Sequence, residues 1–293
     1  MGLHLWMITK MMFILSKVIF LLRVSDATQN ASFDENYKII WGNQHVQLLN
    51  QGREVQLSLD KSSGAGFGSK LYFGSGFFQM KIKLPTKDSG GIVTAFYLFL
   101  NTTVHEEMDF EFLGNRPGKP VILQTNVFTN GLGGREQKFS LWFDPGADFH
   151  YYKLLWNDHQ VVYAFFVDDT PIRVYKNNII RGVGYPNHTL QVITSFWDGS
   201  SWATDGGRTK VNYSNAPFHV NFQDFKINGC ISLPNSPNKD CASQKYWWNN
   251  KKYWQLNPQQ LKSLEDVRKK YMKYDYCTDK SRYPTPRQEC SEK

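Results

Sequence analysis

Between Val104 and Leu113 the chain reads V-H-E-E-M-D-F-E-F-L. Glu107, Asp109 and Glu111 occupy every second position, and Met108, Phe110 and Phe112 fill the gaps. A β-strand sends successive side chains to opposite faces, so this period of two separates three carboxylates from three large apolar groups. The apolar face requires a hydrophobic core, and the acidic face must open onto water or a cleft. A solvated edge strand would satisfy the alternation alone. That reading is the weaker one, because neighbouring like charges on a strand face repel and outward positions more commonly carry Lys or Thr. Phe110 and Phe112 call for deep packing, and Gly114-Asn115 ends the run sharply.

Carboxylates gathered on one face suit cleavage of a glycosidic bond with retention. That reaction needs an ionised nucleophile and a protonated acid about 5–5.5 Å apart. On an ideal strand the Cα atoms of Glu107 and Glu111 lie roughly 13 Å apart, at about 3.3 Å per residue. Two long Glu side chains leaning inward close most of that gap. Asp109 is shorter and lies between them, where it can hydrogen-bond the nucleophile. Crowded carboxylates raise the proton affinity of one of their number, which lets one Glu hold a proton near neutral pH. His105 shares the face and either orients a carboxylate or is purely structural.

The rest of the chain reads as short strands parted by turn residues. Alternating or apolar runs occur at 55–59, 77–84, 92–100, 121–128, 138–143, 151–156, 161–167, 172–175 and 190–196, with breaks at Asn130-Gly131, Asp144-Pro145-Gly146 and Asp168-Asp169. Many closely spaced strands without a long helix between them predict an all-β sandwich. One helix is expected at 258–274: Asn257 can cap it, Pro258 suits its first position, and Leu261, Leu264, Val267 and Tyr271 fall on one face. Aromatic residues make up 15% of the chain, which suits a sugar-binding cleft and a sandwich core equally.

Residues 1–27 are apolar with Lys10, Lys17 and Arg23 interspersed, and end in the small-x-small triplet Ser25-Asp26-Ala27. They read as a secretory signal peptide, although Lys17 interrupts the apolar core. A signal anchor is the alternative, but the uninterrupted apolar runs are short for a membrane span. The net charge of +8 is concentrated after Gln244, where basic residues outnumber acidic ones about two to one. No nucleic-acid motif accompanies that basic tail, and a secretory leader argues against nucleic acid as a partner. An acidic polysaccharide outside the cell is the simpler candidate, and plain solubility simpler still. The four cysteines, Cys230, Cys241, Cys277 and Cys290, lie in the last quarter and allow three pairings. Behind a leader, disulfides are expected. No spacing suits a metal site, and no metal or cofactor is expected. Asn30, Asn101, Asn187 and Asn212 each begin an N-x-S/T triplet and are candidate glycosylation sites.

The string His105-Glu106-Glu107-Met108-Asp109-Phe110-Glu111-Phe112-Leu113-Gly114-Asn115 resembles the H-D-E-I-D-F-E-F-L-G-N signature of plant xyloglucan endotransglucosylase/hydrolases. These belong to the glycoside hydrolase family of laminarinases and lichenases. Thr94 to Leu98, Leu123 to Phe128, Leu141-Trp142-Phe143-Asp144-Pro145, Pro171-Ile172-Arg173, Trp202 to Gly207 and Tyr274-Asp275-Tyr276-Cys277 extend the resemblance over nearly everything after the leader. It implies a jelly-roll β-sandwich over residues 28–226, whose concave sheet forms the cleft, and a disulfide-stapled extension over 227–293. It also implies neighbour pairing of the cysteines, Cys230 with Cys241 and Cys277 with Cys290, closing two small loops. Xyloglucan donor and acceptor chains are the implied partners, and a secreted cell-wall (apoplastic) monomer is the expected state.

By resemblance, Glu107 is the nucleophile, Glu111 the general acid/base and Asp109 their modulator. Gln124 and Asn126 alternate on the next strand and are expected to offer amides to sugar hydroxyls; a buried polar ladder is the other reading. Arg135 and Glu136 resemble a sugar-contact pair with Gly134 beside it in the chain, and Thr125 and Ala203 fall in the familial stretches; all three are further candidate substrate contacts. Trp197 and Trp202 are candidate stacking platforms. Gly207 is expected to let backbone approach the ligand, and Arg268 resembles an acceptor-side contact on the C-terminal helix. The chain departs from the pattern in four places. Glu106 replaces Asp, on the face opposite the acids, where a local repacking is expected. Asp266 and Leu261 replace aromatic residues at the acceptor end. Pro117 removes the sequon that relatives carry at Asn115. The short connection from Asp198 to Trp202 resembles transferase members more than hydrolases with an enlarged loop.

Overall fold

The computed structural model describes residues 31–100, 102, 104–157 and 164–291. The expected leader and the sequons at Asn30 and Asn101 lie outside them. After a one-turn helix α1 (Phe33–Asn36), the strands are β1 (Tyr37–Trp41), β2 (Val46–Leu49), β3 (Glu54–Leu59), β4 (Ala65–Lys83), β5 (Ile92–Leu100), β6 (Glu106–Leu113), β7 (Ile122–Phe128) and β8 (Gln137–Ser140). They continue as β9 (His150–Trp156), β10 (Ala164–Val167), β11 (Thr170–Arg173), β12 (Leu190–Asp198), β13 (Phe218–Gln223) and β14 (Ile227–Ile231). Helix α2 (Pro258–Tyr271) and β15 (Met272–Asp275) close the series. No helix among the described residues is long and apolar enough to cross a membrane.

Strand β4 joins two layers. Its first residues, 65–69, pair with β1 on one side and β12 on the other. Its last, 76–83, pair with β9 on one side and with β14 and then β13 on the other. The first layer therefore runs β1-β4-β12-β5-β6-β7-β8-β15, and the second runs from β3 and β13 through β4 to β9, β10 and β11. Rings from the two layers interlock edge to face. Phe110 of β6 lies 5.1 Å from Phe165 of β10 and 5.8 Å from Tyr152 of β9, and Phe112 lies 4.6 Å from Tyr152. This is the all-β sandwich that the strand spacing predicts.

Strand β4 is 19 residues long, whereas the sequence reading begins a strand only at Phe77. The difference lies in Gly66, Gly68, Gly74 and Gly76, which carry no side chain to extend the alternation. Here they are sites of close approach: a Cβ on Gly66 would sit 2.2 Å from the Trp41 indole nitrogen, and one on Gly76 would sit 2.7 Å from the Asn228 carbonyl oxygen. The helix also stops earlier than expected. Asn257 Oδ1 accepts from Gln260 N and Gln260 Oε1 accepts from Asn257 N, a capping box at its start. At its end, residues 272–275 turn into β15 and pair with β8. Val267 is the residue this helix buries, while Leu261, in its first turn, remains 47% exposed.

The cysteines bond neighbour to neighbour, Cys230 to Cys241 and Cys277 to Cys290. Glu106 is fully buried, and its carboxylate accepts from His188 N at 3.0 Å and lies 2.8 Å from His188 Nδ1. The larger acid in place of Asp is thus matched by a specific partner.

Phe110→Ala should remove the ring that bridges the layers and lower stability by about 3–5 kcal/mol, read from a urea or guanidinium midpoint. A loss below about 1 kcal/mol would mean that the layers do not interlock at β6.

Candidate active site

The acids are presented by the register of β6. Met108, Phe110 and Phe112 are 0–1% exposed, so the pleat turns Glu107, Asp109 and Glu111 to the opposite face. On β5 their cross-strand partners are Phe99, Tyr97 and Ala95, and on β7 they are Phe128, Asn126 and Gln124. The acids therefore lie mid-sheet, with the amides of Asn126 and Gln124 on the β7 side and the rings of Phe99 and Tyr97 on the β5 side.

Each carboxylate has a different environment. Glu107 Oε2 lies 2.8 Å from His105 Nε2, and the His105 ring stacks on Phe128 with centroids 4.6 Å apart. Burial pushes the Glu107 carboxyl above its usual range, while the hydrogen bond and charge of His105 pull it back. Asp109 is 2% exposed and its Oδ1 has no hydrogen-bond partner. Burial raises its proton affinity strongly, the neighbouring Glu111 and Glu107 charges raise it further, and the Arg173 guanidinium opposes them. Glu111 accepts from Gln124 Nε2 at 2.6 Å. Its carboxyl is pushed up to about 7, chiefly by burial and also by Glu107 and Glu136, against the Gln124 bond and Lys138. Such a row can hold a proton on one member near neutral pH while another stays ionised.

Two residues without an assigned role in the sequence reading join this group. Tyr97 is cross-strand from Asp109, and its phenol is pushed up to about 12, mainly by burial and also by the three acids. The period of two along Val93, Ala95, Tyr97 and Phe99 was a signal for it. Arg173 is fully buried on the interior side, where Nη1 donates to the Thr125 carbonyl at 2.8 Å and to Thr125 Oγ1 at 2.9 Å. Nothing in the sequence pattern announces a buried guanidinium beneath the acids.

The expected substrate residues divide into several groups. Gln124 and Asn126 share the acidic face, each 5% exposed. Asn126 Oδ1 is taken by the backbone N–H groups of Val127 and Arg135, both at 2.9 Å. Thr125 has the opposite parity, is fully buried, and turns its hydroxyl to Arg173 rather than to the cleft. Leu113 pairs with Val93, and Val93 with Trp197, so Trp197 continues the acidic face beyond Glu111, packed with buried Ala203. Trp202 is 38% exposed. A Cβ on Gly207 would sit 2.4 Å from the Ser201 carbonyl, so the close approach there is to the chain itself.

The C-terminal segment holds the remaining group. Arg135 is buried, with Nε donating to Glu289 Oε1 at 2.7 Å and Nη1 donating to the Val127 and Leu132 carbonyls. Glu136 accepts from both Arg282 Nη groups, and Tyr283 Oη donates to the Gly134 carbonyl at 2.8 Å. Arg268 Nη2 donates to Asp275 on β15. The loop closed by Cys277 and Cys290 thus clamps residues 134–136 beside Glu111, an arrangement sequence spacing could not reveal. Asn187 and Asn212 are exposed. Among the described residues, no three His, Cys, Asp or Glu side chains are gathered to hold a metal ion.

Residues 33–215 match the family model described as glycosyl hydrolases family 16, and residues 242–290 match that described as the xyloglucan endo-transglycosylase C-terminus. The chain belongs to this family. It is 53% identical over 283 residues to xyloglucan endotransglucosylase/hydrolase protein 2 of Arabidopsis thaliana, covering 95% of this chain and 96% of that one. Xyloglucan endotransglucosylase protein 34 of Populus tremula x Populus tremuloides is 48% identical over 263 residues, covering 89% and 88%. Among solved structures, the Bacillus licheniformis β-glucanase superposes with a TM-score of 0.53 at 21% identity, covering 64% of this chain and 89% of that one. A prokaryotic β-1,3-1,4-glucanase (lichenase) gives 0.51 at 24% identity, covering 67% and 95%. The fold of this family 16 member is their jelly roll.

Because folding raises the Glu111 value from 4.5 to about 7, the folded chain favours the protonated carboxyl. That contribution to stability is complete below about pH 4.5 and is lost as pH rises through about 7. Glu111→Gln cannot ionise, so its melting temperature should rise relative to the parent by on the order of a few degrees at pH 8, with no such gain at pH 4.5. Equal differences at both pH values would contradict a raised Glu111.

Proposed function

We propose that this protein is a secreted xyloglucan endotransglucosylase that remodels cell walls, with Glu107 as nucleophile, Glu111 as general acid/base and Asp109 as modulator. The observation that carries this reading is the unequal solvation of the acids on one strand face. Glu107 Oε2 lies 2.8 Å from His105 Nε2, a contact that favours the ionised form against burial, while burial and neighbouring charge push the Glu111 carboxyl up to about 7, so that it can carry a proton near neutral pH. The family match and the names of the relatives favour xyloglucan as substrate.

In the first step Glu111 donates its proton to the glycosidic oxygen and Glu107 attacks C1, giving a covalent glycosyl-enzyme. The leaving chain end departs as an alcohol. Glu111, now ionised, then takes a proton from the 4-hydroxyl of a second xyloglucan chain, whose oxygen displaces Glu107 and forms the new bond. Water in place of that hydroxyl would give hydrolysis. Transfer is favoured by the tight connection at 198–202, where Asp198 Oδ1 accepts from Ser200 N at 2.8 Å and Trp202 N donates to the Gly199 carbonyl at 3.0 Å. The clamp of residues 134–136 by Arg282, Tyr283 and Glu289 builds a firm wall beside Glu111 against which an acceptor can be held.

Incubating the secreted protein with xyloglucan, with and without labelled xyloglucan oligosaccharides, tests the reading. Label should enter polymer with few new reducing ends. Falling polymer size with matching reducing ends would make the protein a hydrolase, and the absence of both changes would rule out xyloglucan as substrate. Glu107→Ala should abolish turnover while leaving binding, and Glu111→Gln should cost roughly 10²–10⁴-fold. Surviving turnover in Glu107→Ala would refute the nucleophile. The parent's kcat/KM should fall on the alkaline side through about pH 7 as Glu111 loses its proton, and on the acid side as Glu107 gains one.

A further inference from the structure

On the outer face of the second layer lies a cavity of about 260 Å³. Its sheet side is formed by Phe77 of β4, Lys153 of β9 and Phe166 of β10. Their chain neighbours Phe78, Tyr152 and Phe165 are buried in the core, so the pleat sends the lining residues away from the carboxylates of β6. The opposite side is the segment from Trp247 to Gln260.

Four aromatic rings line this cavity, those of Phe77, Phe166, Trp247 and Tyr253. Trp247 lies 5.3 Å from Phe77 and 5.0 Å from Tyr253 between centroids, and it remains 38% exposed. Its position is thus fixed by aromatic contacts while part of the indole stays open. The charged lining residues are Lys153 and Lys252 against Asp168 and Asp169, so the cavity has no net charge. Lys153 Nζ lies 2.9 Å from Asp169 Oδ1, yet the Asp169 side chain is fully exposed and free to accept further bonds. Asp168 is held in place by Tyr151 N at 2.9 Å and His150 Nδ1 at 2.9 Å.

An open indole can take the C–H face of a sugar ring, and pre-positioned carboxylates and ammonium groups can take its hydroxyls. A balanced rim does not attract a polyanion, despite the basic character of the chain as a whole. The volume is just under the usual range of ligand clefts, about 300–1,000 Å³, and suits about one or two sugar rings of a longer chain.

We propose that this cavity is a second binding site for a neutral glucan chain, on the face of the sandwich opposite the catalytic cleft. It holds polymer against the protein while the cleft acts. The identity of that chain as xyloglucan rests on the substrate reading above; the neutrality and sugar character rest on the cavity alone.

Affinity electrophoresis of the full-length secreted protein through gels containing soluble polysaccharide tests the site. The cleft contributes equally in parent and variants, so any difference reads the cavity. Trp247→Ala should weaken retention by xyloglucan about fivefold, and Trp247→Phe should keep most of it. Asp169→Ala changes a fully exposed side chain and should weaken retention about twofold without disturbing packing. Transfer between short soluble oligosaccharides should stay at the parent rate in all three. Unchanged retention in both alanine variants overturns the proposal, as does retention that depends on Trp247 in a polygalacturonate gel but not in a neutral glucan gel. If the parent neither binds nor transforms xyloglucan, but is held by another neutral β-glucan through Trp247, the second site stands and the xyloglucan reading fails.

Discussion

The structure depends on the register of one strand. Burying Met108, Phe110 and Phe112 stabilises the fold by roughly 1.5–3 kcal/mol per side chain. A slip of one residue would exchange those groups for Glu107, Asp109 and Glu111 and drive three carboxylates into the core. The ladders to β5 and β7 on both sides exclude such a slip. The same alternation that fixes the core therefore delivers the acids, and the apolar face offsets the cost of crowding like charges on the other.

What distinguishes the three acids is their surroundings rather than their spacing. His105 is held by its stack on Phe128 and offers a partner to Glu107 alone. Gln124 reaches Glu111 from the facing position on β7. Arg173 lies beneath the strand, and its charge acts on Asp109 through the sheet, while Thr125 on the interior side of β7 fixes the guanidinium. The chemistry proposed for the cleft is thus supported from three directions: the strand end, the neighbouring strand and the opposite layer.

The part of the molecule that follows a local period was legible in sequence. The strands around the acids, the apolar face of β6 and the cap of α2 follow from alternation, helical spacing and Asn257-Pro258. Features set by distant contacts were not legible. The glycines of β4 interrupt the alternation in sequence, and the Trp41 ring and the Asn228 carbonyl that crowd them come from elsewhere in the chain. Met272 to Tyr274 read as the helix end because the edge of β8 with which this segment pairs is over 130 residues away. Thr125 was grouped with Gln124 and Asn126 by motif, although parity alone places it on the interior side. Arg135 and Glu136 were readable by resemblance as a sugar-contact pair, but not as the residues that the Cys277–Cys290 loop grips. The aromatic cavity of the outer face needed Phe77 and Trp247, far apart in sequence, to be seen together.

The central claim is that the face presented by β6 carries a nucleophile at Glu107 and an acid/base at Glu111. Mass spectrometry of the protein after reaction with a slowly released glycosyl donor tests it most directly, because a retaining reaction passes through a glycosyl-enzyme. The account predicts one sugar adduct, on the peptide that contains β6 and at Glu107. An adduct at Glu111 would reverse the roles, and turnover of the donor with no covalent adduct under conditions that accumulate the intermediate would contradict the account.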